Sequence, residues 1–416
     1  MARRALILTA GTLLSILTSP QTAAAISPQQ SPVTNNQAQL ANVVADQTLN
    51  VVDVSDSTTQ GVVSDGNTFT GSIIGSPLNV QSVQTMSGNA SASGRVNVTT
   101  NSGAVTTIDV AATGNDGTSN VLGGGTLTGT ATQTTGAVNI LALAEYNGAN
   151  AQAGNLSNSA QAVANSHAYG LTDSAATAAL TQSSAAITQS DAGLTLGYTA
   201  DTALITATST SNNVTAEGIG TSSQTLTLTQ SMTGARTQAT VNANAGNAQT
   251  ILGQASTIGN NISVTNQGGP LNVVTDQTNA GYVQSQSVVT AYEFGTAQST
   301  AYGVGNSVMV GNQGQQLSLT NTQTNSGNGI EAQASFSSGA GGYDATASSI
   351  AIGNAVTGYA CSQCSGRMTV ANRQTNSADV GATSSATVSA SNRSVTGTAA
   401  ATGNAASFYV SSPSGN

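Results

Sequence analysis

The sequence contains no lysine and no tryptophan, and its 416 residues include a single histidine. Each absence removes a class of chemistry. Without lysine there is no phosphate-cradling P-loop and no Schiff-base nucleophile. Charged residues are 6% of the chain, and after the first 25 residues five arginines face 16 acidic side chains, a formal charge of −11. An acidic surface repels phosphates and has no basic patch to release their counterions, so nucleic-acid binding is excluded. The scarcity of charge also opposes ordinary disorder, which pairs low hydrophobicity with high net charge. Aromatics are 3%, and Ala and Val dominate a hydrophobic fraction of 38%. A conventional core draws its buried area from Phe, Leu, Ile and Trp. This chain fills only a thin interior.

What is present begins with an export signal. Arg3-Arg4 precedes an apolar run over residues 5–17, and Ala23-Ala24-Ala25 offers cleavage after Ala25. A run of about 13 residues is too short to span a bilayer. No later segment reaches a spanning length, so no transmembrane segment is predicted. Residues 26–48, with Pro28 and Pro32, read as a flexible linker, and regular alternation begins near Leu49.

From there a unit recurs. Its clearest copy is Gln323-Thr324-Asn325-Ser326-Gly327, with others at Asp276-Gln277-Thr278-Asn279 and Arg373-Gln374-Thr375-Asn376-Ser377. Weaker copies start at Gln230, Gln189, Gln133, Gln84 and Gln47. From Gln84 to Gln374 the anchor glutamines are separated by 49, 56, 41, 47, 46 and 51 residues. A Gly-Asn pair follows at a near-constant distance. Gly114, Gly259, Gly305, Gly353 and Gly403 lie 30, 29, 28, 30 and 29 residues beyond their glutamines. Imperfect repeats of such length mark a solenoid or array.

Between anchors, runs such as Ile330-Glu331-Ala332-Gln333-Ala334-Ser335-Phe336 alternate small apolar with polar residues. That period of two is the half-buried strand signal. The expected fold is therefore all-β: an elongated, repetitive β-solenoid over residues 49–410 with repeats of about 48 residues, followed by a tail at 411–416. Two coils of roughly 24 residues per repeat, some 15 coils in all, would make a rod on the order of 70 Å. Ala-rich segments leave room for a short helix within residues 156–180. Stacked Asn and Gln are expected to form amide ladders, and an open end to present a sheet edge.

Few residues carry chemistry. Cys361 and Cys364 form the only cysteine pair, which in an exported chain predicts a small structural disulfide. A zinc site would need further ligands, and His167 is remote in sequence. His167 itself reads as a surface or turn residue. Asp53, Asp56 and Asp65 are the densest acidic group and read as solvated turn residues, although some β-helical proteins cleave polysaccharide with clustered acids. No catalytic, cofactor or metal residue is predicted, and the chain is read as no enzyme. Tyr282, Tyr292, Tyr302, Tyr343 and Tyr359 are the candidate polysaccharide-stacking set. Each ring offers a sugar an apolar face and a hydroxyl; covering coil edges or turns is the competing role.

With its export signal, lysine-free Asn/Gln/Thr/Ala/Gly composition and Gln-Thr-Asn-Ser-Gly repeats, the chain resembles the holdfast attachment (Hfa) surface proteins of stalked alphaproteobacteria, the larger HfaD type above all. That resemblance implies a cell-surface protein holding an adhesive polysaccharide to the outer membrane. It also implies export through a curli-type outer-membrane lipoprotein channel, assembly with sister proteins, and no catalytic residues. Multivalent anchoring is the first functional reading. An amyloid-like surface fibre subunit is the second, and a secreted polysaccharide lyase or hydrolase the third.

Overall fold

The structure is a computed structural model that describes residues 31–314, 316–361 and 367–411. The export signal with its Ala25 cleavage site, and Cys364 with the expected disulfide, lie outside the described residues.

The chain winds through strands that all pair in parallel with their counterparts one circuit away. The first circuit is β1 (Ser31–Gln39), β2 (Val43–Asp53) and β3 (Ser57–Ile74). The second is β4 (Leu78–Met86), β5 (Ala90–Asn101) and β6 (Val105–Leu122), and the third β7 (Thr126–Thr135), β8 (Asn139–Ala153) and β9 (Asn155–Thr172). In the next three circuits the last two strands fuse. These are β10 (Ala175–Ser184) with β11 (Ile187–Ile219), β12 (Ser223–Met232) with β13 (Arg236–Asn266), and β14 (Leu271–Asn279) with β15 (Tyr282–Asn312). The seventh is β16 (Gln316–Asn325), β17 (Gly329–Ser338) and β18 (Gly342–Ala360), and the eighth β19 (Arg367–Asn376), β20 (Val380–Thr387) and β21 (Ser394–Val410). The first strands of the eight circuits form one eight-stranded parallel sheet, and the later strands form a second sheet of 13 strands. The architecture is all-β and solenoid-like.

Several expectations are corrected by the register. Facing residues of successive circuits lie 46–51 residues apart, as Gln277 and Gln323 or Gln323 and Gln374 do, so a circuit is not a coil of about 24. Eight circuits at the usual strand spacing give a stack of roughly 40 Å, shorter than expected. Strand pairing starts at Ser31, inside the segment read as a flexible linker, because β1 lies along β4 from Ser31 to Gln39. Polar alternation there is an edge strand at the end of a stack. No helix forms over 156–180; β9 and β10 occupy it, since neighbours on both sides satisfy the backbone and override alanine's helix preference. The anchor positions in the fourth and first circuits are Gln182 and Gln37. Gln189 instead lies on the outer surface beside Asp191, and Gln47 is exposed.

Two amide ladders run the length of the interior. Along one, the Nε2 of Gln84, Gln133, Gln182, Gln230, Gln277, Gln323 and Gln374 each donates to the Oε1 of the glutamine one circuit earlier, at 2.7–2.9 Å. Along the other, the Nδ2 of Asn67, Asn115, Asn165, Asn212, Asn260, Asn306 and Asn354 donates to the Oδ1 of the asparagine one circuit later, ending on Asn404, at 2.7–2.8 Å. The second amide hydrogen of each goes to backbone carbonyls across the lumen. Gln230 donates to Asn261 O, and Asn212 to Ser231 O, reciprocally stitching opposite walls. These ladders form a partition. On one side lie Leu127, Leu180, Leu226, Val264 and Val310; on the other lie the small residues Ala144, Ala160, Ala207 and Ala243 with Phe294 and Phe336. Between the two end circuits each rung of the ladders has its partners, which is the condition under which a polar interior rigidifies a fold instead of weakening it.

Candidate functional site

The outer surface departs from this regularity at one corner, where the chain leaves the strands following the first sheet and turns toward the Asn ladder. Register shifts fall there in circuit after circuit: Val51/Asp53, Asn97/Asn101, Leu196/Tyr198 and Thr199/Thr202. Such bulges disrupt a ladder locally and re-aim side chains outward. Three adjoining clefts of about 370, 510 and 490 Å³ follow the corner across the middle circuits. Glu145, Asn147, Asp191 and Asn242 line the first, Thr195, Asn244, Thr290 and Tyr292 the second, and Tyr198, Asn247, Glu293 and Tyr343 the third.

The rings here are exposed: Tyr198 by 45%, Tyr292 by 59% and Tyr343 by 63%. Two glycines make room for aromatics. A Cβ on Gly339 would come within 2.8 Å of the Tyr292 ring, and one on Gly342 within 2.5 Å of Phe294. Phe294 in turn packs edge-on against Phe336, with ring centroids 4.9 Å apart. The corner thus has a buried aromatic footing and an exposed aromatic rim. Arg393 lies 5.9 Å from the Tyr343 ring centroid and pairs with Asp344, whose carboxyl its guanidinium holds below the usual range.

The structure brings together two of the five expected tyrosines, Tyr292 and Tyr343, and adds Tyr198, which was not singled out. Its signal was available: like Tyr292, it ends a period-two run. The others stand elsewhere. Tyr282 donates its hydroxyl to the Glu331 carboxylate, and burial followed by that carboxylate pushes its pKa up to about 12. Tyr302 is half-buried on a flat strand face. Tyr359 stacks on Tyr409 of the last circuit at 5.9 Å and 15°.

His167 is a correction. It is buried, at a position filled by Val214 one circuit on, and tilts against Tyr169 with centroids 4.6 Å apart. Burial lowers its pKa to about 4, and Nδ1 has no hydrogen-bond partner. It faces the core, not a turn. Asp116 is raised, by burial first, and its neighbour Asp65 adds to this. Among the described residues no three His, Cys, Asp or Glu side chains gather as metal ligands. No described helix is long and apolar enough to cross a membrane. Cys361 donates its backbone N–H to Asn312 O at 2.9 Å.

A family model described as holdfast attachment protein D matches residues 52–329. The chain belongs to the holdfast attachment protein D family. The match runs from the end of β2 to the start of β17, so it takes in the Asn ladder from Asn67 to Asn306 and the corner from Tyr198 to Tyr292. Holdfast attachment D is an attachment family, which associates the chain with the cell envelope and with adhesion. No curated protein and no solved structure matches the chain.

Proposed function

We propose that this protein is a non-enzymatic anchor at the outer membrane surface, exported by cleavage after Ala25, that holds an adhesive polysaccharide by many weak contacts along its corner. The observation that carries the reading is the row of exposed Tyr198, Tyr292 and Tyr343 interleaved with Asn147, Asn244 and Asn247. A tyrosine stacks on a pyranose face, and amides bond ring hydroxyls. Sites repeated along a rigid stack give avidity with no single tight site. The sequence repeat of about 48 residues is, in this reading, the circuit itself, so successive circuits set tyrosine, asparagine and acidic side chains beside one another along the corner, one inter-strand spacing apart.

Retention at the cell then depends on partners: sister attachment proteins and an outer-membrane lipoprotein channel, as the family resemblance implies. A Cys361–Cys364 disulfide, ahead of β19 in the chain, belongs to the same reading. Deleting the gene tests the reading. Adhesive material that still forms but is shed into the medium supports anchoring, whereas failure to make the material points to biosynthesis and overturns it.

A further inference from the structure

The two ends of the stack differ, and they differ in a complementary way. The Gln ladder ends at the last circuit on Gln374, which donates back to Gln323 and leaves its Oε1 as an acceptor with no circuit above it. At the first circuit Gln37 accepts from Gln84 and donates one Nε2 hydrogen to Thr68 O, leaving the other without a glutamine below. The Asn ladder is the converse. Asn404 accepts from Asn354 and has amide hydrogens to give, while Asn67 donates to Asn115 and keeps an open Oδ1. Setting the last circuit of one copy under the first circuit of another continues both ladders with the correct donor and acceptor at each.

The rest of the profile agrees. Following the register through all circuits puts Val380 opposite Val43 and Ala382 opposite Ala45. Phe408, seated over Gly358, meets Gly71, so this ring has a glycine on either side. Phe408 and Val410 are 40% and 42% exposed, and among the described residues both end circuits present unpaired strand edges, which template further pairing. Charge is complementary too. Residues 31–74 hold four aspartates and no cation, whereas residues 367–411 hold three arginines and one aspartate. Val395 falls in register with Thr58 of the next copy, so Arg393 and Asp56, each two residues earlier, come to the same part of the joint.

We propose that the exported chain adds head to tail to a second copy of itself, last circuit against first, to build an open filament in which both amide ladders run without a break. The joint is heterologous and does not close on itself, so growth continues at both ends. It does not rest on the sugar reading, because none of Tyr198, Tyr292 and Tyr343 takes part.

Ala45→Glu and Ala382→Glu test it. Each places a carboxylate in the lumen of an open end, where the single chain can hold it in water and the joint cannot. By sedimentation velocity and negative-stain microscopy, the native exported chain is expected to form a concentration-dependent series of linear oligomers. Each variant alone is expected to stay single, with association weakened by roughly a hundredfold and an unchanged thermal midpoint. An equal mixture of the two is expected to stop at one-to-one dimers, since only one compatible pair of ends remains. A native chain that stays single at every concentration overturns the proposal and leaves the ends to a different partner. Variants that still polymerise, or a mixture that forms no dimer, overturn it equally.

Discussion

The lumen and the corner are made by the same chain and obey opposite rules. In the lumen one residue type holds one position through all eight circuits, glutamine on one wall and asparagine on the other. At the corner residue types change from circuit to circuit: Tyr198 is in register with Asn247, and Asn247 with Glu293, and the asparagine column of Asn50, Asn97 and Asn147 gives way to Thr195. The register shifts lie at the corner as well, while facing amides in the lumen stay 2.7–2.9 Å apart. A ladder stabilises only when every rung is filled, so its positions cannot drift. The corner carries no such constraint and is where chemistry can vary without loss of fold.

That contrast can be broken from the inside first. Asn212→Leu leaves one Asn165 Nδ2 hydrogen and the Asn260 Oδ1 without partners in a fully buried setting, while Asn165 keeps its bond to Ser183 O, and it removes the bond to Ser231 O. A loss of about 3–5 kcal/mol in urea unfolding is expected. The next effect is a pH dependence. The His167 pKa of about 4 in the fold lies below its ordinary 6.5, so the unfolded chain takes up the proton first. Stability is then full above pH 6.5, falls as the pH drops toward 4, and levels off below, a total of roughly 3 kcal/mol. His167→Val, which copies Val214, should remove that slope in melts compared at neutral and acid pH.

At the corner the expectation reverses. Replacing Tyr198, Tyr292 and Tyr343 together with alanine should change unfolding free energy by no more than about 0.5 kcal/mol per site. Retention of holdfast polysaccharide on the protein in a pull-down should fall about tenfold. A triple variant that binds as the native does would return these rings to a covering role. The smallest effect is expected at Gln189→Leu, an outer glutamine paired only with Asp191 and Arg236, at under about 0.5 kcal/mol. Set beside Gln182→Leu, a ladder position, it separates the two glutamines that sequence alone does not.

Much of the fold was readable because alternation and anchor residues are local signals. Apart from Gln47 and Gln189, the Gln and Gly-Asn anchors are the rungs themselves. The circuit length was not readable, because the corners carry no breaker: β11 passes from Ile187 to Ile219 without leaving extended structure. Nor was the choice between Gln182 and Gln189, since only the partner one circuit away distinguishes them. His167 was misplaced for the same reason. It stands two residues after Asn165, a lumen position, and that frame exists only once the rungs are aligned. The acidic and basic ends went unread as a pair because they are far apart in the chain.

The opposed directions of the two ladders have an electrostatic consequence. Glutamine amides point their hydrogens toward the first circuit and asparagine amides toward the last, so two columns of aligned dipoles run side by side with opposite sense. Their fields cancel at a distance, unlike the summed dipole of a helix. A column of either kind alone would build up partial charge at its tips as it lengthened. With both, gaining or losing a whole turn of the chain changes the molecule's reach and leaves its axial polarity to the few ionised side chains at its ends.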